Sequence, residues 1–159
     1  ASMTLGGASV VEGNAGGTGF GQRGGGLANF ARSGSTATLD AHDGVTVRGN
    51  TAFNGAGIAN ASEGTGVATV TIDGHAAVSA NAGIFTGGGL INEANGEGTS
   101  TMQLAGDAVV ADNTTWLSGG GASNQVGTGT ARLLLTDGAR VVSVEHIGED
   151  TENGNASSE

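Results

Sequence analysis

Four aspartates at recurring positions, Asp43, Asp73, Asp107 and Asp137, are the first residues of this chain whose type could do chemistry. Converging carboxylates would serve glycoside hydrolysis, one as acid and one as base or nucleophile. Each of these, however, adjoins a glycine (Asp43-Gly44, Asp73-Gly74, Gly106-Asp107, Asp137-Gly138), a pairing that belongs to tight turns. His42 and His75 lie 33 residues apart, in the same turn of successive repeats, and a metal pair there is the sharper reading; solvated turn histidines are the default. His146 stands 71 residues further on. Ser and Thr are plentiful, yet no Ser-His-Asp order or nucleophile elbow occurs. The run GGTGFGQRGGG at 16–26 has the glycines of a phosphate-cradling loop without its Lys-Ser/Thr ending or a following helix. The Ca²⁺-binding nonapeptide lacks its Asp. No catalytic, cofactor-binding or metal-ligating residue is assigned.

The elements that would carry such residues are set by repetition. Gly24-Gly25-Gly26-Leu27-Ala28-Asn29 returns as Gly55-Ala56-Gly57-Ile58-Ala59-Asn60, Gly87-Gly88-Gly89-Leu90-Ile91-Asn92 and Gly119-Gly120-Gly121-Ala122-Ser123-Asn124, at spacings of 31, 32 and 32 residues. A second mark keeps that period: Val47-Arg48-Gly49-Asn50, Val78-Ser79-Ala80-Asn81 and Val110-Ala111-Asp112-Asn113. Val11-Glu12-Gly13-Asn14 is its first, partial copy. A fixed period in this range predicts a solenoid. The repeats run 24–54, 55–86, 87–118 and 119–148, in one domain over 1–148; residues 149–159 read as an acidic polar tail or linker.

Period-2 alternation bounded by Gly, Asn and Asp gives three short strands per repeat. They are the Gly-Gly-Leu-x-Asn stretch, a segment such as Thr69-Val70-Thr71-Ile72, and a segment such as Ala76-Ala77-Val78-Ser79. Three strands per ~32 residues make one coil of a parallel β-helix, with coils ~4.8 Å apart and like residues stacked in ladders. The expected apolar columns are Leu39, Val70, Met102 and Leu134; Val47, Val78, Val110 and Val142; and Leu27, Ile58, Leu90 and Ala122. Phe53, Phe85 and Leu117 should form a stacked cluster before the Gly motif. Asn29, Asn60, Asn92 and Asn124 should stack as one amide ladder, and Asn50, Asn81 and Asn113 as another. Gly serves where φ is positive or coils approach closely, and Asn is the next most tolerant residue there.

Composition bounds the partners. The 159 residues carry 33 Gly, no Pro, no Cys, no Lys and a formal charge of −10. Leu, Ile, Val and Phe make up just under a fifth of the chain, a level associated with disorder, but a disordered chain has no reason to place them periodically. Acidity excludes nucleic acid and anionic membrane surfaces as partners, since both call for Lys and Arg. No apolar run approaches ~18 residues, so direct membrane insertion is not expected. The chain reads as a mature or excised segment, opening in mid-repeat.

GGGLAN, GAGIAN, GGGLIN and GGGASN, with the Val-x-x-Asn marks, resemble the repeats of secreted right-handed parallel β-helix proteins. Among these are passenger domains of autotransporters and of chlamydial polymorphic outer-membrane proteins. The chlamydial pattern has Phe-x-x-Asn where this chain has Val47, Val78 and Val110, so the resemblance carries fold and surface location only. It implies an all-β right-handed parallel β-helix of about 4.5 coils, extracellular or at the cell surface. The expected function is a non-catalytic stalk or adhesin segment without cofactor, meeting a host surface or glycan. A carbohydrate-binding or polysaccharide-degrading β-helix and a self-assembling filament subunit are the alternatives. A lyase of that group would need Arg or Lys beside acidic Ca²⁺ ligands, and the five Arg are scattered. An aligned row of Asp, Glu and Arg along one outer face would favour the enzyme. The Thr ranks of the second strand are too irregular for an ice-binding array.

One expectation concerns the last coil. Counting at the common period puts Leu133 and Leu135 outward, around an inward Leu134, with Val144 at the position of Asp112. Outward apolar residues on a terminal coil predict an interaction surface, met by a neighbouring subunit or by the continuation of the parent chain.

Overall fold

In the computed structural model, residues 1–17, 19–20 and 22–142 are described. The Gly-motif strands are β3 (Leu27–Ala31), β7 (Ile58–Glu63), β11 (Leu90–Asn95) and β15 (Ala122–Val126). The alternating strands are β1 (Ser2–Leu5), β4 (Thr36–Ala41), β8 (Val67–Ile72), β12 (Thr99–Leu104) and β16 (Thr130–Leu135). Those of the Val-x-x-Asn mark are β2 (Val10–Glu12), β5 (Thr46–Arg48), β9 (Ala77–Ser79), β13 (Val109–Ala111) and β17 (Arg140–Val141). A further set, β6 (Thr51–Asn54), β10 (Ala82–Thr86) and β14 (Thr114–Thr115), lies just before the Gly motif. Each set forms its own parallel sheet, and each strand pairs with its counterparts in the adjacent turns. The chain is a β-solenoid of about four turns, all β among the described residues. Each full turn has four sides where three strands were expected. The extra side is short and irregular, which hid its period-2 signal.

Apolar columns fill the interior. Leu39, Val70, Met102 and Leu133 align, as do Val11, Val47, Val78, Val110 and Val141, and Leu27, Ile58, Leu90 and Ala122. In the last turn two expected members are displaced by one residue. Met102 aligns with Leu133 and Val110 with Val141, whereas Leu134 and Val142 are exposed. The cause is a loop one residue shorter. Ala94 aligns with Val126, a step of 32, but Thr99 aligns with Thr130, a step of 31. Side chains alternate faces along a strand, so this single deletion exchanges the two faces of β16 relative to the counted period. Leu133 and Leu135 therefore pack against the core, and the expectation that they face outward is corrected.

The glycines answer two separate demands. The first Gly of each motif (Gly24, Gly55, Gly87, Gly119) has φ between 59° and 75°, a left-handed bend. The third abuts the neighbouring turn: a Cβ built on Gly26 would lie 2.7 Å from the Gly57 carbonyl oxygen and 2.9 Å from Val47. The residue before Asn in the second mark is also left-handed throughout, as Gly13, Gly49, Ala80 and Asp112.

Candidate functional site

The buried amides hold the turns in line. Asn29 donates through Nδ2 to Asn60 Oδ1 at 2.8 Å, Asn60 to Asn92 at 2.8 Å, and Asn92 to Asn124 at 2.7 Å. The same Nδ2 groups also donate to carbonyls such as Ala37 and Thr69 from Asn29. In the second ladder Asn50 donates through both backbone N–H and Nδ2 to Asn81 Oδ1, and Asn81 does the same to Asn113. Asn14 extends this ladder by one turn, donating to Asn50 Oδ1 at 3.0 Å. Asn50, Asn60, Asn81, Asn92 and Asn113 have no exposed surface, and their amides have bonding partners within the chain. This arrangement is structural cement, with no amide spare for a ligand.

The residues first singled out for chemistry meet at most in His–Asp pairs. Asp43 and Asp137 take left-handed φ of 57° and 55°, which accounts for Asp in those turns. His42 does not stand level with His75: Ala41 aligns with Ile72, which puts His42 at the level of Asp73. His42 contacts its neighbour Asp43, whereas His75 faces Asp107 of the next turn at 3.5 Å. Among the described residues no group of three or more His, Asp or Glu is placed to hold a metal. No helix there is long and apolar enough to cross a membrane. Val144 and His146 lie outside the described residues, as do 149–159.

Of two surface features, the first was not anticipated, and the second contains the expected stack of Phe53 on Phe85. The first is a charged brace on the outer face of the β3/β7/β11 sheet. Arg23 donates through Nε and Nη2 to both oxygens of Glu93, at 2.7 and 2.8 Å. Its Nη1 lies 4.0 Å from Glu63, which is also 3.8 Å from Arg32. Phe30, Ala61 and Glu93 share one outward row, and the methyl of Ala61 leaves the room that Arg23 needs. Both guanidiniums lie near the Phe30 ring, 5.8 and 5.3 Å from its centroid. Asn95 donates to Glu93 as well. Burial pushes the Glu93 carboxyl up, but the bonds from Arg23 and Asn95 and the Arg23 charge outweigh it, so its pKa is lowered. The available signal was this small-residue gap between Phe30 and Glu93.

The other is an aromatic corner. Before each Gly motif the chain leaves the regular path by a different amount. In the first, partial turn Phe53 N–H donates to Gly17 O and Asn54 N–H to Gln22 O, so two consecutive residues of one turn pair with residues five apart in the other. In the third turn β10 carries an irregularity between Gly83 and Thr86 that turns Ile84 and Phe85 outward. Trp116 and Leu117 occupy the same stretch one turn on. Phe53 stacks on Phe85 with centroids 5.4 Å apart and planes at 11°, and Phe20 tilts over Phe53 at 5.0 Å. Phe53 is buried beneath them, while Phe20 and Trp116 are 90% and 76% exposed. The chain has four Phe, one Trp and no Tyr, and all but Phe30 are at this corner.

Fold and surface together define a β-solenoid repeat protein. No family model matches the chain, nor does any curated protein or solved structure.

Proposed function

We propose that this chain is a rigid, non-catalytic stalk or adhesin segment of a secreted or surface-anchored bacterial protein, akin to an autotransporter passenger. The observation that carries the reading is how the polar interior is used. Two amide ladders run through successive turns and bond to the chain's own groups, stiffening the rod and committing their amides to the fold rather than to a substrate. Of the turn aspartates, Asp43, Asp107 and Asp137 are exposed and Asp73 is half-buried, and they are spread along the axis, as suits a shaft. Incubating the isolated segment with polyuronates and neutral glycans, with and without Ca²⁺, tests this. No reducing ends or unsaturated products are expected, and their steady, protein-dependent release would overturn it.

The polysaccharide-degrading alternative has one observation in its favour: Arg23, Arg32, Glu63 and Glu93 form a row of charge on one outer face. A glycosidase pair needs one carboxyl held protonated. Glu93 is held ionised instead, and Arg23 is committed to it through two hydrogen bonds. The row acts as a brace, and the non-catalytic reading stands. A neighbouring subunit or the parent chain's continuation is the partner proposed for the last described turn. There Ala122, Leu133, Leu135 and Val141 are only partly covered.

A further inference from the structure

We infer that the aromatic corner is a binding strip for an extended, uncharged glycan chain laid along the solenoid axis. The inference deepens the adhesin reading and rests on it for the idea of an external ligand. Exposed aromatic surface on a soluble protein marks an interaction site, and here it is concentrated against a sparse background. The described residues that build the corner, Phe20 and the segments TAFN, AGIFT and TTWLS, include no charged residue, in a chain whose formal charge is −10. The polar groups beside the rings that reach the surface are the Asn54 amide and the Thr115 and Ser118 hydroxyls, while the buried Thr86 donates to Asn54 Oδ1.

That chemistry selects among occupants. A second copy would bring another −10 against the first, and like charge opposes pairing of two such rods. An anionic surface or polyanion finds no cation in the strip. A sugar ring offers an apolar C–H face to stack on an aromatic ring and a rim of hydroxyls for amide and hydroxyl partners, without net charge. Amphipathic rings with a few placed polar groups are the usual lining of sites for such ligands. The geometry adds that the ligand is long. Exposed apolar residues of the strip recur in successive turns, near the ~4.8 Å rise of a parallel sheet: Phe20 over the buried Phe53, then Phe85, then Leu117 with Trp116 alongside. A polymer of similar units meets a periodic surface repeatedly, and linked weak contacts sum to useful avidity.

The test uses the whole chain in affinity electrophoresis through gels containing a soluble neutral β-glucan, a neutral mannan or polygalacturonate. Retardation by at least one neutral polysaccharide is expected, with little by polygalacturonate. Trp116→Ala combined with Phe85→Ala should weaken that retardation at least tenfold, whereas Trp116→Phe should largely retain it. Both targets reach the surface. Phe85 also covers the buried Phe53, so the unfolding midpoint should drop slightly, and a single cooperative thermal transition establishes that the double variant folds. Absence of retardation by either neutral polysaccharide would overturn the inference. So would retardation that the double variant leaves unaltered, or strip-dependent self-association or binding to zwitterionic vesicles without glycan binding. Glycan or cell binding that persists in the double variant would sink this strip while leaving the adhesin reading intact. Product release in the activity assay would remove that reading instead.

Discussion

Ser62 is the one described side chain whose buried polar atom lacks a partner: its Oγ is shielded from solvent and makes no hydrogen bond. It aligns with Ala31 on one side and Ala94 on the other, so the space is already shaped for a methyl. Ser62→Ala is expected to stabilise the fold by about 1 kcal/mol, the usual scale for relieving an unmet buried hydroxyl, measured by urea unfolding. A lower midpoint would indicate that the hydroxyl has a role in the core. Ala80 presents the opposite case, a Cβ at φ 53° where two of its counterparts are Gly. Left-handed backbone costs a non-Gly residue roughly 1–2 kcal/mol, partly offset by the greater unfolded-state freedom of Gly. Ala80→Gly should therefore raise the unfolding midpoint slightly, and a drop would show that the alanine methyl contributes packing that outweighs its strain.

For the strands, the informative place is β16, where one missing loop residue reverses which leucines face the core. Leu133→Lys should destabilise by several kcal/mol, because a charge would enter the apolar column, while Leu134→Lys should be close to neutral. Equal effects, or the reverse order, would contradict this register. The same strand shows how far the sequence could be read. The Gly motif and the Val-x-x-Asn mark announce the solenoid and its repeat boundaries because backbone constraint recurs at every turn. A deletion of one residue in a polar loop leaves no compositional trace, and Leu133-Leu134-Leu135 is uniformly apolar, so alternation could not choose a face. The fourth side of each turn escaped for a related reason: β6, β10 and β14 are short and unequal, and in β10 the outward Ile84 and Phe85 are as apolar as a core. Arg23 and Glu93 escaped because their partnership crosses turns 70 residues apart in the chain.

At the scale of the whole molecule, the Arg23–Glu93 brace ties the first partial turn to the third Gly-motif strand. The pKa of Glu93 is depressed in the folded state, so the carboxylate contributes stability above its ordinary value of 4.5. That contribution declines as pH falls through the lowered value. Thermal unfolding followed from pH 7 down to pH 3 should show this loss, and Arg23→Met should flatten the dependence. An identical pH profile in the variant would mean that the ion pair contributes nothing measurable.

The polarity of the amide ladders has a mechanical consequence. In both ladders each Nδ2 hands its hydrogen bond to the Asn of the following turn, and the sheets stack parallel along one axis. A tension applied between the two ends therefore loads these bonds one turn after another, in series, rather than shearing many together. The rod should yield as a zipper does, turn by turn from an end, at low and nearly constant force. Each released turn of 31 or 32 residues would lengthen the tether by about 100 Å of extended chain. A rod that gives way in such increments would absorb a tug applied to its end, and would rewind when the load is removed.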